Sequence, residues 1–283
     1  MNTEPVTAQP SEDAGPVEMA YGSDPLQKLD YWRPMENGSP LIVFVHGGAW
    51  KDGDKRDAVG EEKVGHFLQQ GYAFSSLNYR LVPTSTVEQQ ARDVASALAF
   101  LISHAEDLGF DSQRIVLMGH SAGAHLSALV GTDMRYLNEV GLGQQSLSGI
   151  ILLDGAAYDV PRQIAEGGIF TQDAYRQAFS TEPERQIALS PTYQAAAPNA
   201  GAFLILHVQR PDGITQSLEL TEALKKAGTD VEMDGFDGAG LKGHMEINRR
   251  LGDPSYPATS VVDDWLRHIF AEKTSGSSTE PGL

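Results

Sequence analysis

Residue types that together could carry out nucleophilic catalysis lie far apart along the chain of 283 residues. The string Gly119-His120-Ser121-Ala122-Gly123 matches G-x-S-x-G, in which a serine is held on a sharp turn between a strand and a helix. Small residues at 119, 122 and 123 let the strand and the helix approach closely. The string predicts that Ser121 is a nucleophile, with an ordinary Gly/Ser turn as the alternative interpretation.

A second glycine-rich string could supply the N–H groups that a serine nucleophile needs. In His46-Gly47-Gly48-Ala49-Trp50, the two glycines let backbone N–H groups reach a reacting carbonyl oxygen. A plain Gly-Gly turn is the alternative. Both strings follow a predicted parallel strand at its carboxyl end, which is the edge where open α/β sheets bind ligands.

The serine needs a base, and the chain has eight histidines. His244 stands directly after a glycine-rich segment over residues 237–243, which follows the last predicted strand and is predicted to form a loop. Such a loop could bring the imidazole to Ser121 as general base and then general acid, so we predict His244 as the base and keep a surface histidine as the alternative. The other seven lie on predicted amphipathic helices, in an apolar strand or beside the two strings: His66, His104, His268, His207, His46, His120 and His125.

A carboxylate must hold the imidazole in one tautomer. Asp212 follows a predicted strand in the turn-rich segment Arg210-Pro211-Asp212-Gly213, and the order Ser121, Asp212, His244 is typical of nucleophile-elbow hydrolases. We predict Asp212 as the acid. Asp154, at the end of the preceding predicted strand, is the main rival, and an acidic turn residue is the structural alternative for Asp212. Asp159 and Asp237 are weaker candidates.

The elements that must position these residues alternate between short apolar runs and helix-period segments, which favours a mostly parallel sheet with helices on both faces. We predict one catalytic domain over residues 18–271, with a small cap over 161–197 and disordered tails over 1–17 and 272–283. A hairpin is predicted near 27–32. The predicted strands span residues 41–46, 73–79, 114–119, 149–154, 202–208 and 230–236. The predicted helices span residues 57–70, 87–108, 122–130, 216–227 and 258–272.

Composition argues against several classes of function. With 21 basic and 38 acidic residues the formal charge is −17, which disfavours binding to nucleic acid or to an anionic membrane. The absence of cysteine excludes thiolate chemistry, and no metal-binding motif is convincing. One match to the dinucleotide-binding motif G-x-G-x-x-G occurs, at Gly238-Ala239-Gly240-Leu241-Lys242-Gly243. No further predicted strand follows this match, so we do not interpret it as a cofactor site. The acids and prolines of the first 20 residues differ from a secretory signal, so we expect a cytoplasmic protein.

With these residues the chain resembles serine esterases of the α/β-hydrolase superfamily, most closely the kynurenine formamidase-like and hormone-sensitive-lipase-like groups. The resemblance runs from about residue 21 to 270. It is carried by Tyr21-Gly22, Leu29-Asp30-Tyr31, the His46–Trp50 string with Gly53-Asp54-Lys55, Asn78-Tyr79-Arg80-Leu81, Asp93, the Gly119–Gly123 string, Ser190-Pro191 and His244.

The resemblance implies an α/β-hydrolase fold with an eight-stranded, mostly parallel sheet, no cofactor, and hydrolysis through an acyl-enzyme. It implies Ser121 as nucleophile, His244 as base, and Gly47, Gly48 and Ala122 as oxyanion donors. Asp212 departs from the family's usual Gly-x-x-Asp, since Gln209-Arg210-Pro211-Asp212 stands there. We expect Trp50 and His120 to line the substrate site, with packing of the oxyanion loop as the alternative for Trp50.

Two reactions need the same machinery: hydrolysis of small carboxylic esters and hydrolysis of an N-formyl aryl amide of the kynurenine type. A small-molecule ester is therefore the leading predicted substrate, and a formamide is the alternative. A ligand-binding protein that keeps the fold without the chemistry is the competing class. The sequence leaves the oligomeric state open, with a homodimer as one option.

Overall fold

The computed structural model describes residues 15–166 and 169–276. Eight strands in this part of the chain form one sheet in the order β1-β2-β4-β3-β5-β6-β7-β8. The first two strands pair in antiparallel fashion, β2 is antiparallel to β4, and all the remaining pairs are parallel. The strands are β1 Val17–Ala20, β2 Lys28–Trp32, β3 Ser39–Val45, β4 Ala73–Leu77, β5 Phe110–His120, β6 Gly149–Leu153, β7 Ala202–Gln209 and β8 Asp230–Ala239.

Helices cover both faces of the sheet, because the central strands alternate their apolar side chains between two cores. In β3, for example, Leu41, Val43 and Val45 join one core, while Ile42 and Phe44 join the other. The helices are α1 Lys63–Gln69, α2 Val87–Ser103, α3 Ala105–Leu108, α4 Ala122–Thr132, α5 Arg135–Asn138, α6 Val160–Glu166, α7 Ile169–Phe179, α8 Pro183–Ala188, α9 Pro191–Gln194, α10 Pro211–Lys226, α11 Gly240–Arg249 and α12 Pro257–Gly276.

The two cores belong to different helices. Helices α2, α4 and α10 pack on one face of the sheet, and α1, α11 and α12 pack on the other. Helix α4 is buried along its whole length, which explains its apolar composition and fixes the turn that precedes it. This rigid framework leaves the loops at the carboxyl ends of the strands to carry the chemistry.

The predicted fold class is confirmed, and the differences lie at element boundaries. The predicted helix 87–108 is interrupted at His104, and the predicted helix 57–70 begins only at Lys63. The segment 161–197, predicted as a cap or irregular excursion, contains α6, α7, α8 and α9 in its described part.

The predicted tails fall largely outside the described residues. Where they overlap with them the prediction was too long, because Val17 already pairs with Tyr31 in the hairpin and α12 continues to Gly276. No helix in the described ranges is long and apolar enough to cross a membrane.

Candidate active site

The predicted nucleophile lies on a tight turn between β5 and α4. Ser121 has φ 56° and ψ −119°, a conformation that residues other than glycine rarely adopt. Glycines on both sides permit the turn: a Cβ on Gly119 would lie 2.3 Å from the carbonyl oxygen of Gly123, and a Cβ on Gly123 would lie 2.1 Å from that of Val45. The turn therefore holds the Ser121 hydroxyl at the carboxyl edge of the sheet, with its side chain partly exposed.

The oxyanion loop, defined here as residues 46–53, has an unusual backbone beside this turn. Gly48, Ala49 and Trp50 have φ angles of 126°, 50° and 62° in succession. A Cβ on Gly48 would lie 1.9 Å from the carbonyl oxygen of Asp52, so only glycine fits there. The Tyr79 hydroxyl donates a hydrogen bond to the carbonyl oxygen of His46 over 2.9 Å, which anchors the start of the loop.

Of the three predicted oxyanion donors, Gly47 lies against Ser121 and Ala122 follows it in the chain. A Cβ on Gly47 would lie 3.0 Å from the Cβ of Ser121, so this part of the loop approaches the serine closely. Gly48 follows directly, and Ala122 is the first residue of α4, where N–H groups have no partner within the helix. An oxyanion formed at this position would also meet the positive end of the helix dipole.

The predicted base is in contact with the predicted nucleophile. His244 Nε2 lies 3.0 Å from Ser121 Oγ, and His244 Nδ1 lies 2.6 Å from Asp154 Oδ2. The carboxylate accepts from Nδ1–H, so Nε2 is left as the acceptor for the serine hydroxyl. The structure thus contains a continuous chain of hydroxyl, imidazole and carboxylate.

Asp154, and not Asp212, contacts the imidazole, which corrects the predicted acid. Strand β6 is the neighbour of β5, and the N–H of Ser121 donates to the carbonyl oxygen of Leu153 over 3.1 Å. The acid therefore follows the strand beside the nucleophile. Asp154 is fully buried and has a positive φ of 43°, with its N–H bound to the carbonyl oxygen of Leu206.

Asp212 lies in the first turn of α10 rather than in a loop. Its Oδ2 is 3.3 Å from Gln163 Nε2 and 3.9 Å from Arg210 Nη1. The sequence signals for this helix start were present but were interpreted as a turn: Pro211 occupies the first helical position, and an acid follows it. Because the helix begins at once after β7, the Asp212 carboxylate points to Gln163 and Arg210, and Asp154 makes the contact with His244.

His244 also lies in a helix, which corrects the predicted loop over 237–243. Strand β8 continues to Ala239, and α11 begins at Gly240. Positive φ angles at Gly238 (119°) and Gly240 (55°) turn the chain from strand to helix within a few residues. The imidazole is therefore presented by the second turn of α11, which is a firmer support than a mobile loop.

Comparison with known proteins agrees with this architecture. The family model BD-FAE matches residues 29–147. Esterase LipC of Mycobacterium tuberculosis is 30% identical over 201 residues, which cover 67% of this chain and 49% of LipC, so the chain spans about half the length of that relative. Kynurenine formamidase of Meyerozyma guilliermondii is 29% identical over 73% of this chain and 78% of its own length.

A solved structure extends the comparison to nearly the whole chain. Esterase B from Lactobacillus Rhamnosis superposes with a TM-score of 0.74 and 21% identity, covering 92% of this chain and 85% of that one. The chain has the α/β-hydrolase fold. The order of its eight strands places the ends of β5, β6 and β8 on one edge, where Ser121, Asp154 and His244 meet.

The two residues expected to line the substrate site are instead packed inside the protein. Trp50 is 1% exposed, its Nε1 donates to His125 Nδ1 over 3.2 Å, and its ring packs at 4.7 Å from that of Phe179 in α7. This is the alternative interpretation, packing of the oxyanion loop. His120 is 3% exposed and its Nε2 donates to the carbonyl oxygen of His244 over 2.9 Å, so it supports the base rather than the substrate.

Electrostatics keep the acid ionised and the supporting histidine neutral. Burial raises the pKa of Asp154, but the hydrogen bond from His244, the Arg210 charge and the Val208 N–H outweigh it, so the pKa lies below its ordinary value. Burial, followed by the adjacent His244, lowers the pKa of His120 well below its ordinary value. Because His120 is neutral, it adds no positive charge beside His244. The Asp154 carboxylate can therefore stabilise an imidazolium formed at His244.

Arg210 is a partner of Asp154 that was not predicted from the sequence. Its Nε lies 2.9 Å from Asp154 Oδ2, the same oxygen that His244 contacts. The signal was available, since Arg210 directly follows β7 at the carboxyl edge. In the described ranges, no group of three or more histidine, aspartate or glutamate side chains is arranged to hold a metal ion.

Proposed function

We propose that this protein is a serine hydrolase that cleaves small carboxylic esters through an acyl-enzyme. The observation that carries the proposal is the chain from Ser121 Oγ through His244 to Asp154, with separations of 3.0 and 2.6 Å. Such a chain activates a hydroxyl that is otherwise a weak nucleophile. The polypeptide spans about half the length of esterase LipC. Esterase activity is therefore proposed for this protein and is not taken over from that relative as a finding.

The proposed reaction has two halves. Ser121 Oγ bonds to the ester carbonyl carbon while His244 Nε2 takes the hydroxyl proton, and the N–H groups of Gly47, Gly48 and Ala122 hold the negative oxygen. The carbon–oxygen bond to the alcohol then breaks, and His244 returns the proton to the leaving alkoxide. Water, deprotonated by His244, attacks the acyl-enzyme and releases the acid and free Ser121. Asp154 stabilises the imidazolium formed in both halves.

An N-formyl aryl amide is the second proposed substrate. The alignment with kynurenine formamidase, which extends over 73% of this chain, is the observation that favours it. The chemistry differs only in the leaving group, because His244 would protonate an aniline nitrogen instead of an alkoxide. The size of the acyl group distinguishes the two substrates. A formyl group is the smallest acyl group and fits a narrow acyl pocket, whereas the longer acyl chains of esters need a larger pocket.

Steady-state kinetics with matched substrates test this choice. We expect kcat/KM for aryl acetate and aryl butyrate to exceed that for N-formylkynurenine. If N-formylkynurenine is hydrolysed with a higher kcat/KM than every aryl ester, the ester assignment is wrong and the formamidase assignment replaces it. An acyl-chain series from acetate to octanoate then measures the pocket directly.

The Ser121→Ala variant tests the nucleophile itself. We expect turnover to fall by roughly four to six orders of magnitude with no change in the melting temperature, because the residue supplies the attacking oxygen and little packing. A fluorophosphonate probe should label the wild type at Ser121 and leave the variant unlabelled. Ser127→Ala is the matched control, since Ser127 lies on the same helix, α4, and is fully buried.

Labelling also separates an enzyme from a silent binding protein of the same fold. A wild type that neither reacts with the probe nor turns over any ester or formamide would support the binding protein. We further propose a cytoplasmic location, which cell fractionation tests.

A further inference from the structure

The segment after β7, where the acid was expected, supplies the partners of the acid instead. Asp154 Oδ1 accepts from the N–H of Val208 over 3.1 Å, and Asp154 Oδ2 lies 2.9 Å from Arg210 Nε. Arg210 Nη2 donates to the carbonyl oxygen of Gly155 over 3.1 Å. One guanidinium thus contacts both the carboxylate and the backbone that carries it.

Asp154 needs such a partner because it is fully buried. An ionised carboxylate in the interior is costly unless charged or hydrogen-bonding groups compensate it, and a neutral imidazole supplies only one hydrogen bond. Arg210 is 16% exposed at its side chain, so solvent screens its charge little. Its second carboxylate, Asp212, is at 3.9 Å and 37% exposed, which makes Asp154 the closer and more buried partner.

The start of α10 is shaped around this ion pair. Gly213 lies in the first turn of the helix, and a Cβ there would be 3.0 Å from Arg210 Nη2 and 3.3 Å from Asp154 Oδ1. The missing side chain leaves room for the guanidinium against the carboxylate. The positive end of the α10 dipole faces the same carboxylate.

On the basis of the proposed function, we propose that Arg210 is a positioning residue of the reaction: it holds Asp154 charged and oriented against His244, and it sets the pH at which activity rises. Arg210 does not touch the reacting atoms. Its positive charge lies 2.9 Å from the carboxylate oxygen that His244 contacts, so the pH profile of activity should report the loss of this charge.

Other titratable and charged groups also lie around Asp154 and His244. They are the same in the wild type and in the Arg210 variants described below, so a difference between these proteins reports the change at Arg210. The titratable and charged groups around Asp154 and His244 are Arg210 and Asp212 after β7, His120 on β5, Lys63 on α1, Tyr158 after β6 and Tyr256 before α12.

The test is the pH dependence of kcat/KM for a short aryl ester in Arg210→Met and Arg210→Lys. Loss of the positive charge beside Asp154 should move the acid limb of kcat/KM in the Met variant upward by about 0.5–1 pH unit and lower the plateau kcat about tenfold, with KM unchanged. The Lys variant keeps the positive charge but loses the planar guanidinium, which contacts Asp154 and the carbonyl oxygen of Gly155 at the same time. It should leave the limb within about 0.2 unit while kcat falls several-fold.

Arg92→Met is the matched control, because it removes the same charge from an exposed pair with Glu139. An acid limb in Arg210→Met that coincides with that of Arg92→Met overturns the proposal, and so does a loss confined to KM. If the Met variant does not fold, Arg210→Gln takes its place with the same expected shift. A wild type with no Ser121-dependent turnover would instead refute the proposed function, so the two failures are distinguishable.

Discussion

Six residues other than glycine have positive φ angles in the described ranges, and four of them belong to the site. These four are Ala49 and Trp50 in the oxyanion loop, Ser121 on the turn and Asp154 after β6. Such a conformation costs on the order of 1–3 kcal/mol for each residue, and it persists only where the surrounding structure enforces it. Here the strain places a hydroxyl and a carboxylate where extended strands would not bring them.

At the same residue scale, Lys63 is a buried lysine with which no carboxylate in the described ranges pairs. The ammonium donates to the carbonyl oxygen of Val59 and to Asn248 Oδ1, each over 2.9 Å, and also to the carbonyl oxygen of Asn248. It lies 5.1 Å from the centre of the Phe44 ring. Asn248 is on α11, one turn after His244, so Lys63 joins the start of α1 to the helix that carries the base.

Lys63 predicts a dependence of stability on pH. Burial lowers the pKa of Lys63 to about 7, whereas the unfolded chain keeps the ordinary value of 10.5. Between these two values the unfolded state binds the additional proton, so the free energy of unfolding rises with pH, by up to about 1.4 kcal/mol per unit. Urea unfolding from pH 6 to 10 should show this rise in the wild type and not in Lys63→Met, and equal slopes in the two proteins would contradict it.

At the scale of elements, two glycines set the distance between β5, α4 and β3. Gly119 and Gly123 face each other across the turn, and Gly123 also meets the carbonyl oxygens of Val45 and His46. These neighbours are backbone atoms, which cannot move aside to make room for a Cβ as the end of a flexible side chain can. A side chain at either position would therefore move the helix that carries Ala122 away from the oxyanion loop.

Gly123→Ala should consequently lose both stability and activity. The added Cβ would lie 2.1 Å from the carbonyl oxygen of Val45, so we expect a loss of about 2–4 kcal/mol in the free energy of unfolding and a lower kcat. Gly65→Ala is the control, because Gly65 is exposed in the middle of α1 with nothing within 4 Å. It should gain about 0.5–1 kcal/mol from helix propensity. Thermal melts that rank the two variants in the opposite order would refute this account.

The sequence predicted these elements better than their ends. Apolar runs such as residues 149–153 have the length of a strand and favour strands buried on both faces, so they predicted the parallel sheet. Two glycine- or proline-containing segments were interpreted as loops and proved to be helix starts, at Pro211 and at Gly240. In both, the chain leaves the strand and enters the helix almost at once, and the residues that permit this also mark loops.

At the scale of the whole molecule, the order of strands decides which side chains meet. Ser121 follows β5 and Asp154 follows the adjacent strand β6, while His244 comes from α11 beyond β8. Sequence could predict Ser121 and His244, because each is the one chemically suitable residue at its strand end. It could not decide between Asp154 and Asp212, since two acids follow neighbouring strands and only packing shows which one reaches the imidazole.

The hairpin of β1 and β2 is linked to the oxyanion loop region by charge, which shows how far the site depends on the rest of the fold. Lys55 is 3% exposed and pairs with Asp30 and Glu18, each over 2.9 Å. Its own N–H donates to Asn78 Oδ1 over 2.6 Å. The strand at the far edge of the sheet therefore supports the segment that follows the oxyanion loop.

The central claim is that Asp154 serves His244 in this assembly, and the kinetics of two variants test it directly. In Asp154→Asn the new amide can donate to Nδ1, which leaves the proton on Nε2 and removes the acceptor for the Ser121 hydroxyl. We predict that kcat/KM for an aryl ester falls about 10³–10⁴-fold in Asp154→Asn and stays within about threefold of the wild type in Asp212→Asn, both variants being folded by circular dichroism. A large loss in Asp212→Asn with near-normal activity in Asp154→Asn would contradict the account.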